Sequence, residues 1–444
     1  MARRTVVKTP HDKEMEHGGN TAHSDRRDLV QTAANKAMLT QFKDLQIRSA
    51  EESINLCGGL ALPSLALRYV LGQDAMPVGR IMAIGGAFGS CKTALAVEVA
   101  RWFLCYGGLG WYLDAELRDS PDMRQAILRH DPAILPYMQY AKCTTQQMWQ
   151  GAVSFALDSV VDMCPVRFDI PSIAIVDSVA AVKPAEDQIK FMKEQGGAGA
   201  RGYASVALLN SAWLANVGPR VTAGPFCLLL IQHSTEKAVD GVPGATTLSH
   251  KGGGEIGYLK SVAFELSPIK KLKETNTQGG RVIRIKVSKN SLGLPDRYID
   301  VPVRWWWDRD PVTGDQRQQY IWDWHHAALG TLFAFSKMNG RVTTWKAINE
   351  IVDLHEMSRG RVWSKALGIP KDNPVTLSEA GEILEYEKTE LLPPLYDVLK
   401  IFRRPLLKPG ECLKEMWNGK VPIQKIPAVV PYPKTSVVGG DDDE

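Results

Sequence analysis

Hydrophobic and polar positions along the chain follow two different periods. Short apolar runs bounded by Gly, Pro and polar residues predict strands, and segments with apolar residues three or four positions apart predict helices. The predicted strands are Arg80–Gly86, Gly110–Glu116, Met138–Cys143, Ser172–Val182 and Phe226–His233. Helices are predicted between them, notably over Gln146–Met163 and Tyr203–Asn216. Strands that alternate with helices in this way predict an α/β fold with a mostly parallel sheet.

The pattern changes towards the C-terminus. Two more apolar runs, Val262–Leu272 and Arg281–Lys289, flank the turn-forming segment Asn276–Gly280 and predict an antiparallel extension of the sheet. After Trp305–Trp307 a turn is predicted at Asp308–Pro311. The rest of the chain predicts a mainly helical domain interrupted by prolines.

Four segments follow from these patterns. Residues 1–49 form a basic N-terminus, in which the polar composition of residues 1 to about 32 predicts disorder and residues 33–48 are predicted to form an oligomerisation helix. Residues 50–307 form the α/β core, residues 308–425 a C-terminal domain, and residues 426–444 an acidic tail.

Composition narrows the functional classes only slightly. The chain has 444 residues and a net charge of +4, which does not by itself indicate a nucleic-acid-binding protein. Its seven cysteines are scattered without a CxxC pair, so we expect neither a disulfide framework nor a zinc site, and we predict a reducing, cytoplasmic location. We predict neither a signal peptide nor a membrane span, because the apolar runs are too short.

The segment after the first predicted strand carries the strongest chemical motif. Residues 86–93 read GAFGSCKT and match the phosphate-binding loop, Gly-x4-Gly-Lys-Ser/Thr, except that Cys91 replaces the second glycine. A strand before the loop and a helix after it are the context that such a loop requires. The predicted nucleotide-binding residues are Gly86, Ala87, Phe88, Gly89, Ser90, Cys91, Lys92, Thr93 and Asp177.

Polar residues end three other predicted strands, at the edge where open α/β sheets bind ligands. Asp177 follows a hydrophobic strand and is predicted to hold Mg2+ together with Thr93. Glu116 is predicted to activate the attacking water, and Gln232 to contact the terminal phosphate. Taken singly, Glu116 and Gln232 are also explained as ordinary strand ends.

Two long glycine-rich segments, Glu186–Arg201 and Ser234–Gly257, are predicted to be functional loops. Glycines allow the backbone to approach a phosphate closely, and lysines supply positive charge. A tolerant surface loop remains the alternative for each. The candidate phosphate-contacting residues of these two segments are Lys190, Lys193, Gly197, Arg201, Lys237, Thr247, His250, Lys251, Gly252 and Gly253.

In this order the motifs resemble those of RecA-type recombinases, including the archaeal RadA and phage UvsX classes. The resemblance covers about residues 50–300 and rests on five segments. These are the phosphate-binding loop, Asp114–Glu116, Val176–Ala181, Gln232 and Arg284–Asn290. It implies a RecA-like P-loop ATPase core that binds ATP and Mg2+.

The resemblance also implies roles for individual residues and partners. Lys92, Glu116 and Gln232 act on ATP, and Lys289 reaches the ATP of the neighbouring subunit, although Ser291 replaces the second lysine of that pair. The two glycine-rich segments correspond to the DNA-binding loops of the family. The expected assembly is a helical homo-oligomeric filament on single-stranded DNA that captures double-stranded DNA, in the cytoplasm or nucleoid of a host if the protein is phage-encoded.

Cys91 is the residue that departs from the phosphate-binding pattern, and two alternative functions remain open. We expect its thiol pKa to be lowered by Lys92 and the helix N-terminus, so that alkylation blocks ATP binding and ATP protects the thiol. Cys91 and Ser291 together favour a DNA-binding filament protein with weak ATPase activity as one alternative. The other is a RecA-fold ATPase of another class, such as a hexameric helicase or a KaiC-like ATPase.

Overall fold

A computed structural model describes most of the core and part of the C-terminal region. The described residues are Lys36, 59–117, 132–163, 170–186, 201–238, 246–250, 255–272, 278–291, 293–309, 316–337 and 342–403. Contacts divide the chain into Met1–Leu56 and Cys57–Glu444, and the fold below is that of the second unit. The predicted basic N-terminus, the helix over residues 33–48 except Lys36, and the acidic tail lie outside the described residues.

The centre of the fold is a ten-stranded sheet in the order β12-β11-β10-β9-β3-β7-β6-β4-β5, with β8 paired to β7. Its strands are β3 (Ile81–Gly86), β4 (Gly110–Asp114), β5 (Met138–Lys142), β6 (Ser172–Asp177), β7 (Phe226–Ala238), β8 (Thr246–His250), β9 (Val262–Lys271), β10 (Gln278–Asn290), β11 (Tyr298–Arg309) and β12 (Gln316–Trp322). Two short strands, β1 (Gly59–Ala61) and β2 (Ala75–Pro77), pair with each other.

Strands β9, β3, β7, β6, β4 and β5 are parallel, whereas β9 to β12 pair antiparallel. The predicted α/β class, the mostly parallel sheet and the antiparallel extension are therefore confirmed. Several strand ends differ from the prediction by one to three residues, and two differ by more. Strand β6 ends at Asp177 rather than at residue 182, and β7 continues past residue 233 to Ala238.

Helices cover both faces of the sheet. They are α1 (Leu65–Leu71), α2 (Lys92–Cys105), α3 (Gln146–Met163), α4 (Arg201–Ala223), α5 (Glu255–Leu259), α6 (Trp324–Lys337), α7 (Val342–Val352), α8 (Leu377–Glu382) and α9 (Leu392–Leu399). Side chains alternate across each strand. In β7, Leu229 and Ile231 join the core beneath α2, whereas Leu228 and Leu230 join the core beneath α3 and α4.

The predicted start of a C-terminal domain at residue 308 falls inside strand β11. The tryptophan run continues the strand, and β12 pairs with it to extend the same sheet. The predicted turn at Asp308–Pro311 is wrong at its first two residues, which belong to β11. Beyond β12 the described residues form helices α6 to α9 and a three-stranded sheet, β13 (Leu354–Glu356), β14 (Arg361–Ser364) and β15 (Val375–Thr376).

Helix α2 is tied to α6 by a buried polar network. The carboxylate of Glu98 accepts hydrogen bonds from the guanidinium of Arg101 and from the indole nitrogens of Trp102 and Trp324. Trp102 and Trp324 also contact edge to face, with ring centroids 5.9 Å apart. The helix that begins at the phosphate-binding loop is thus anchored to the first helix after the sheet. No helix among the described residues is long and apolar enough to cross a membrane.

Candidate nucleotide-binding site

A cleft of about 390 Å³ opens at the carboxyl ends of the parallel strands. It is lined by Phe88, Gly89, Ser90, Cys91, Lys92, Thr93, Ala94, Tyr112, Asp114, Glu116, Asp177, His233, Arg281 and Tyr320. Strands β3, β4 and β6 end together here beside residue 233 of β7, which brings most of the predicted nucleotide-binding residues into one place. This is the edge at which an open α/β sheet binds its ligand.

The loop between β3 and α2 has the backbone of a phosphate cradle. Gly86 has a φ of +152°, and a Cβ there would lie 2.6 Å from the carbonyl oxygen of Leu266 and from Oγ of Ser90. The Ser90 hydroxyl donates to the carbonyl of Ala87 at 2.7 Å and closes the loop on itself. Helix α2 then begins at Lys92, so its N-terminal N–H groups point towards the cleft.

Lys92 is the buried cation of this loop. Its Nζ donates to the carbonyl oxygen of Ala87 at 2.8 Å. Burial lowers the pKa of Lys92, and the nearby carboxylates of Asp177 and Glu116 oppose that effect only in part. A buried ammonium group with acceptors on one side is suited to bind phosphate oxygens on the other.

Asp177 and Thr93 meet at the end of β6. The Thr93 hydroxyl donates to Oδ2 of Asp177 at 2.6 Å, and the Tyr112 hydroxyl donates to the same oxygen at 2.7 Å. Burial raises the pKa of Asp177, the hydrogen bonds from Thr93 and Tyr112 act to lower it, and the charges of Glu116 and Asp114 raise it further. One carboxylate beside one hydroxyl suits Mg2+, which takes few protein ligands and completes its shell with waters and phosphate oxygens. Among the described residues, no group of three or more His, Cys, Asp or Glu side chains forms a metal site.

The acidic segment after β4 is fixed by its backbone. The N–H groups of Ala115 and Glu116 donate to the carbonyl oxygen of Asp177 at 2.7 and 3.0 Å. Asp114 accepts from the Tyr140 hydroxyl at 2.7 Å and from the Leu117 N–H at 2.8 Å. These bonds commit Asp114 to holding the turn. Asp114 and Glu116 both line the cleft, and Glu116 contacts Nε2 of His233 there.

Gln232 is not among the residues that line the cleft, and its contact with the terminal phosphate remains a prediction. Its side chain is 1% exposed, and it lies on the β7 face shared with Leu228 and Leu230. The next residue, His233, lies on the opposite face with Ile231 and lines the cleft. His233 was not predicted, because a sequence locates the end of a strand only to within a few residues. A shift of one residue along a strand places the side chain on the opposite face of the sheet.

The expected lowering of the Cys91 pKa is wrong. Burial raises the pKa of Cys91, and the hydrogen bond from the Tyr320 hydroxyl and the charges of Arg281 and Lys92 offset only part of it. Tyr320 comes from β12 and stacks on Trp305 of β11, with ring centroids 6.0 Å apart. The antiparallel extension therefore covers the thiol. The sequence motif alone gives no indication of this burial.

Arg281 is a second cleft residue that the sequence analysis did not assign. Its Nη1 donates to the carbonyl oxygen of Gly89 at 2.8 Å, and its guanidinium lies 5.9 Å from the Trp305 ring centroid. The side chain comes from β10 and holds the outer side of the phosphate-binding loop. Only a long-range strand pairing brings the two together, so no local motif indicates the contact.

Lys289 lies outside the cleft of its own chain. Its Nζ donates to the carbonyl oxygens of Gly257 and Tyr258 at 2.9 and 2.7 Å. The ring of Tyr258 is 80% exposed. The assignment of Lys289 to a neighbour's ATP remains a prediction.

The predicted DNA-binding residues are described only in part. Lys190, Lys193, Gly197, Lys251, Gly252 and Gly253 lie outside the described residues. For Arg201, Lys237, Thr247 and His250 only the backbone is described. Arg201 begins α4, and the other three lie in the antiparallel pair β7–β8, where Lys237 is opposite Thr247. The second glycine-rich segment therefore contains a β-hairpin rather than only a loop.

Comparison with known proteins relates this chain to one family. A family model of the RecA N-terminal domain matches residues 43–306. Protein RecA of Citrifermentans bemidjiense is 25% identical over 256 residues, which cover 57% of this chain and 69% of that protein. Protein RecA of Cutibacterium acnes is 25% identical over 284 residues, 64% and 75% of the two chains. Protein RecA of Rhodococcus jostii is 28% identical over 242 residues, 54% and 63% of the two chains.

Proposed function

The chain belongs to the RecA family, and on this premise we propose that it is an ATP-dependent DNA recombinase. It forms filaments on single-stranded DNA and pairs them with homologous double-stranded DNA for strand exchange in recombination and repair. The observation that carries this proposal is the convergence of Lys92, Thr93, Asp177 and Glu116 on one cleft at the sheet edge. We place its activity in the cytoplasm.

The cleft supports phosphoryl transfer to water. Lys92 and the N-terminal N–H groups of α2 bind the phosphates of ATP and stabilise the charge that develops on them. Thr93 and Asp177 hold Mg2+, which neutralises phosphate charge when bound. Glu116 accepts a proton from the attacking water, and its carboxylate extends into the same cleft.

Assembly completes the site in this proposal. ATP lies between adjacent subunits, and Lys289 of one subunit supplies positive charge to the ATP of the next. Residues 187–201 and 234–257 bind the DNA. The contacts are to the phosphate backbone, so base pairing and not the protein selects the sequence.

The test is ATP hydrolysis by the full chain with and without single-stranded DNA, at a fixed salt concentration because DNA affinity depends on salt. We expect hydrolysis to rise several-fold with DNA and to be abolished in Lys92→Ala. A basal rate that DNA does not change would contradict the recombinase and favour a RecA-fold ATPase of another class.

A DNA-binding filament protein with weak ATPase activity is the second candidate. The observation in its favour is Cys91, a non-glycine residue at a φ of 62° beside the phosphates. Tight ATP binding and filament formation on DNA, together with negligible hydrolysis, would distinguish it from the recombinase.

A further inference from the structure

His233 is the cleft residue with the most direct contact to the proposed water-activating carboxylate. Its Nε2 contacts Oε1 of Glu116, and the two side chains are 33% and 20% exposed. When Glu116 is ionised, its carboxylate can only accept a hydrogen bond, and the contact then requires the His233 tautomer that carries a hydrogen on Nε2. Both side chains line the cleft together with Lys92 and Asp177.

The place of the imidazole is determined by the sheet. In the parallel pairing of β3 with β7, His233 is the register partner of Gly86, the first glycine of the phosphate-binding loop. The following residue, Ser234, is the first one paired with β8, opposite His250. The backbone of His233 is therefore paired with the first residue of the phosphate-binding loop, and the β7–β8 pairing begins at the next residue.

The contact with His233 restricts the Glu116 side chain. The Glu116 backbone is held by Asp177, but a glutamate side chain has three rotatable bonds and loses considerable conformational entropy when it is fixed. Lys92 lies in the same cleft and interacts electrostatically with Glu116, so its ammonium group attracts the carboxylate. A hydrogen bond from His233 opposes that attraction and holds the carboxylate on the His233 side of the cleft.

We propose that His233 is a positioning residue for Glu116, which holds the carboxylate in the orientation from which it accepts the proton of the attacking water. This inference rests on the proposed ATP hydrolysis and adds to it a residue that no sequence motif indicates. His233 itself takes no proton from the water and forms no bond to the phosphates. Its effect therefore falls on the rate of the hydrolytic step and not on nucleotide binding.

The experiment compares five full-length proteins: the wild type, His233→Ala, His233→Gln, Glu116→Gln and the double variant Glu116→Gln/His233→Ala. Single-turnover hydrolysis and the Kd for a fluorescent ATP analogue are measured for each. For His233→Ala we expect hydrolysis to fall about 10- to 100-fold, as a misplaced catalytic group requires, with the Kd changed by less than about twofold. His233→Gln recovers most of the rate, because its amide can donate the same hydrogen bond.

The controls separate a positioning role from a structural one. His355→Ala removes another histidine–carboxylate pair, His355 with Asp353, in which both side chains are 41% exposed, and we expect it to leave hydrolysis unchanged. Glu116→Gln alone sets the rate that the double variant should share, because His233 has nothing left to position. The inference is overturned by wild-type hydrolysis in His233→Ala or by independent losses in the double variant. A wild type that binds but does not hydrolyse ATP overturns the proposed function and the inference together.

Discussion

Cys91 is the residue at which this phosphate-binding loop departs from its pattern, and the structure explains how it is tolerated. Its backbone adopts a φ of 62°, a conformation that costs a non-glycine residue about 1–3 kcal/mol. The thiol is covered by Tyr320 and packs against the hydrophobic core, which offsets part of that cost. A glycine would relax the backbone but lose this contact.

The raised pKa of Cys91 gives a prediction about reactivity. Only the thiolate reacts with iodoacetamide, and burial reduces the thiolate fraction at neutral pH. We expect Cys91 to be alkylated more slowly than free glutathione at pH 7.5, with a rate that rises as the pH increases. Quantitative mass spectrometry of the peptide that contains Cys91 measures this rate.

ATP provides the control for this labelling. If the thiol lies beside bound phosphates, saturating ATP slows its alkylation further, whereas the labelling of denatured protein is unaffected. Alkylation of Cys91 faster than that of glutathione would contradict the raised pKa, and equal rates with and without ATP would contradict its place in the nucleotide site.

Strand β10 gives a prediction at the scale of elements, because two of its arginines lie on opposite faces. Arg281 donates to the phosphate-binding loop, whereas Arg284 forms two hydrogen bonds of 2.8 Å with Asp300. We expect Arg281→Ala to weaken ATP binding about tenfold, or about 1.4 kcal/mol, because the loop loses its outer support and the cleft a positive charge. Titration with a fluorescent ATP analogue measures this change.

Arg284→Ala is the matched control for that experiment. It removes an arginine and an ion pair from the same strand but leaves the cleft unchanged, so ATP affinity should stay within about twofold of the wild type. Equal losses in both variants would show that the strand acts only through stability.

Helix α2 gives a second prediction through Glu98, whose carboxylate is fully buried. Burial acts to raise the pKa of Glu98, but the charge of Arg101 and the hydrogen bonds from Arg101, Trp324 and Trp102 together lower it. Removal of this partner leaves Arg101 buried without its counterion. We therefore expect Glu98→Ala to lower the free energy of unfolding by about 3–5 kcal/mol at pH 7, measured by urea denaturation.

The pH dependence of this loss has a definite sign. A carboxyl whose pKa is lower in the folded state stabilises the fold above its unfolded pKa, near 4.5, and loses that contribution as the pH falls through the folded value. The difference in the free energy of unfolding between the wild type and Glu98→Ala should therefore become smaller below about pH 4.5. Glu350→Ala, which removes an exposed glutamate from α7, should cause neither the loss nor the narrowing.

The elements also show what the sequence could and could not predict. Strands β3 to β7 and helix α3 follow from local periodicity, because each buries a face determined by its own residues. Strands β11 and β12 do not, because Trp305–Trp307 has no simple alternation and an Asp-Arg-Asp-Pro sequence resembles a turn. Their pairing is with distant parts of the chain. For the same reason the motif predicted the cleft through Lys92 and Asp177 but missed Arg281, Tyr320 and His233.

At the scale of the whole molecule, the predicted site is shared between subunits. The cleft contains Lys92, whereas Lys289 is on a different part of the same chain, hydrogen-bonded to the carbonyl of Tyr258. Head-to-tail contacts of this kind repeat along a filament. Lys92→Ala and Lys289→Ala should each abolish DNA-dependent hydrolysis. The first removes the phosphate-binding cation of the cleft, and the second removes the charge that a subunit supplies to the ATP of its neighbour.

Mixing these two inactive variants tests the shared site. In a mixed filament, some interfaces join an intact Lys92 from one subunit to an intact Lys289 from the other. At equal amounts and with random assembly we expect about a quarter of the wild-type hydrolysis rate to return. The hydrolysis rate of wild-type subunits mixed with Lys92→Ala subunits is the reference for the rate of the mixture of the two variants. If the mixture of the two variants stays inactive, Lys289 does not act on a neighbour's ATP.

The anchoring of α2 to α6 limits how this protein can be divided or recombined. The match to the family ends at residue 306, yet the tyrosine that covers Cys91 and the tryptophan that bonds Glu98 both come later in the chain. A fragment cut at that point would expose the thiol and leave a buried carboxylate short of a donor. The same holds for chimaeras, because a C-terminal region borrowed from another family member would have to supply both side chains in the same places. The two parts of the chain are therefore expected to evolve together rather than as exchangeable modules.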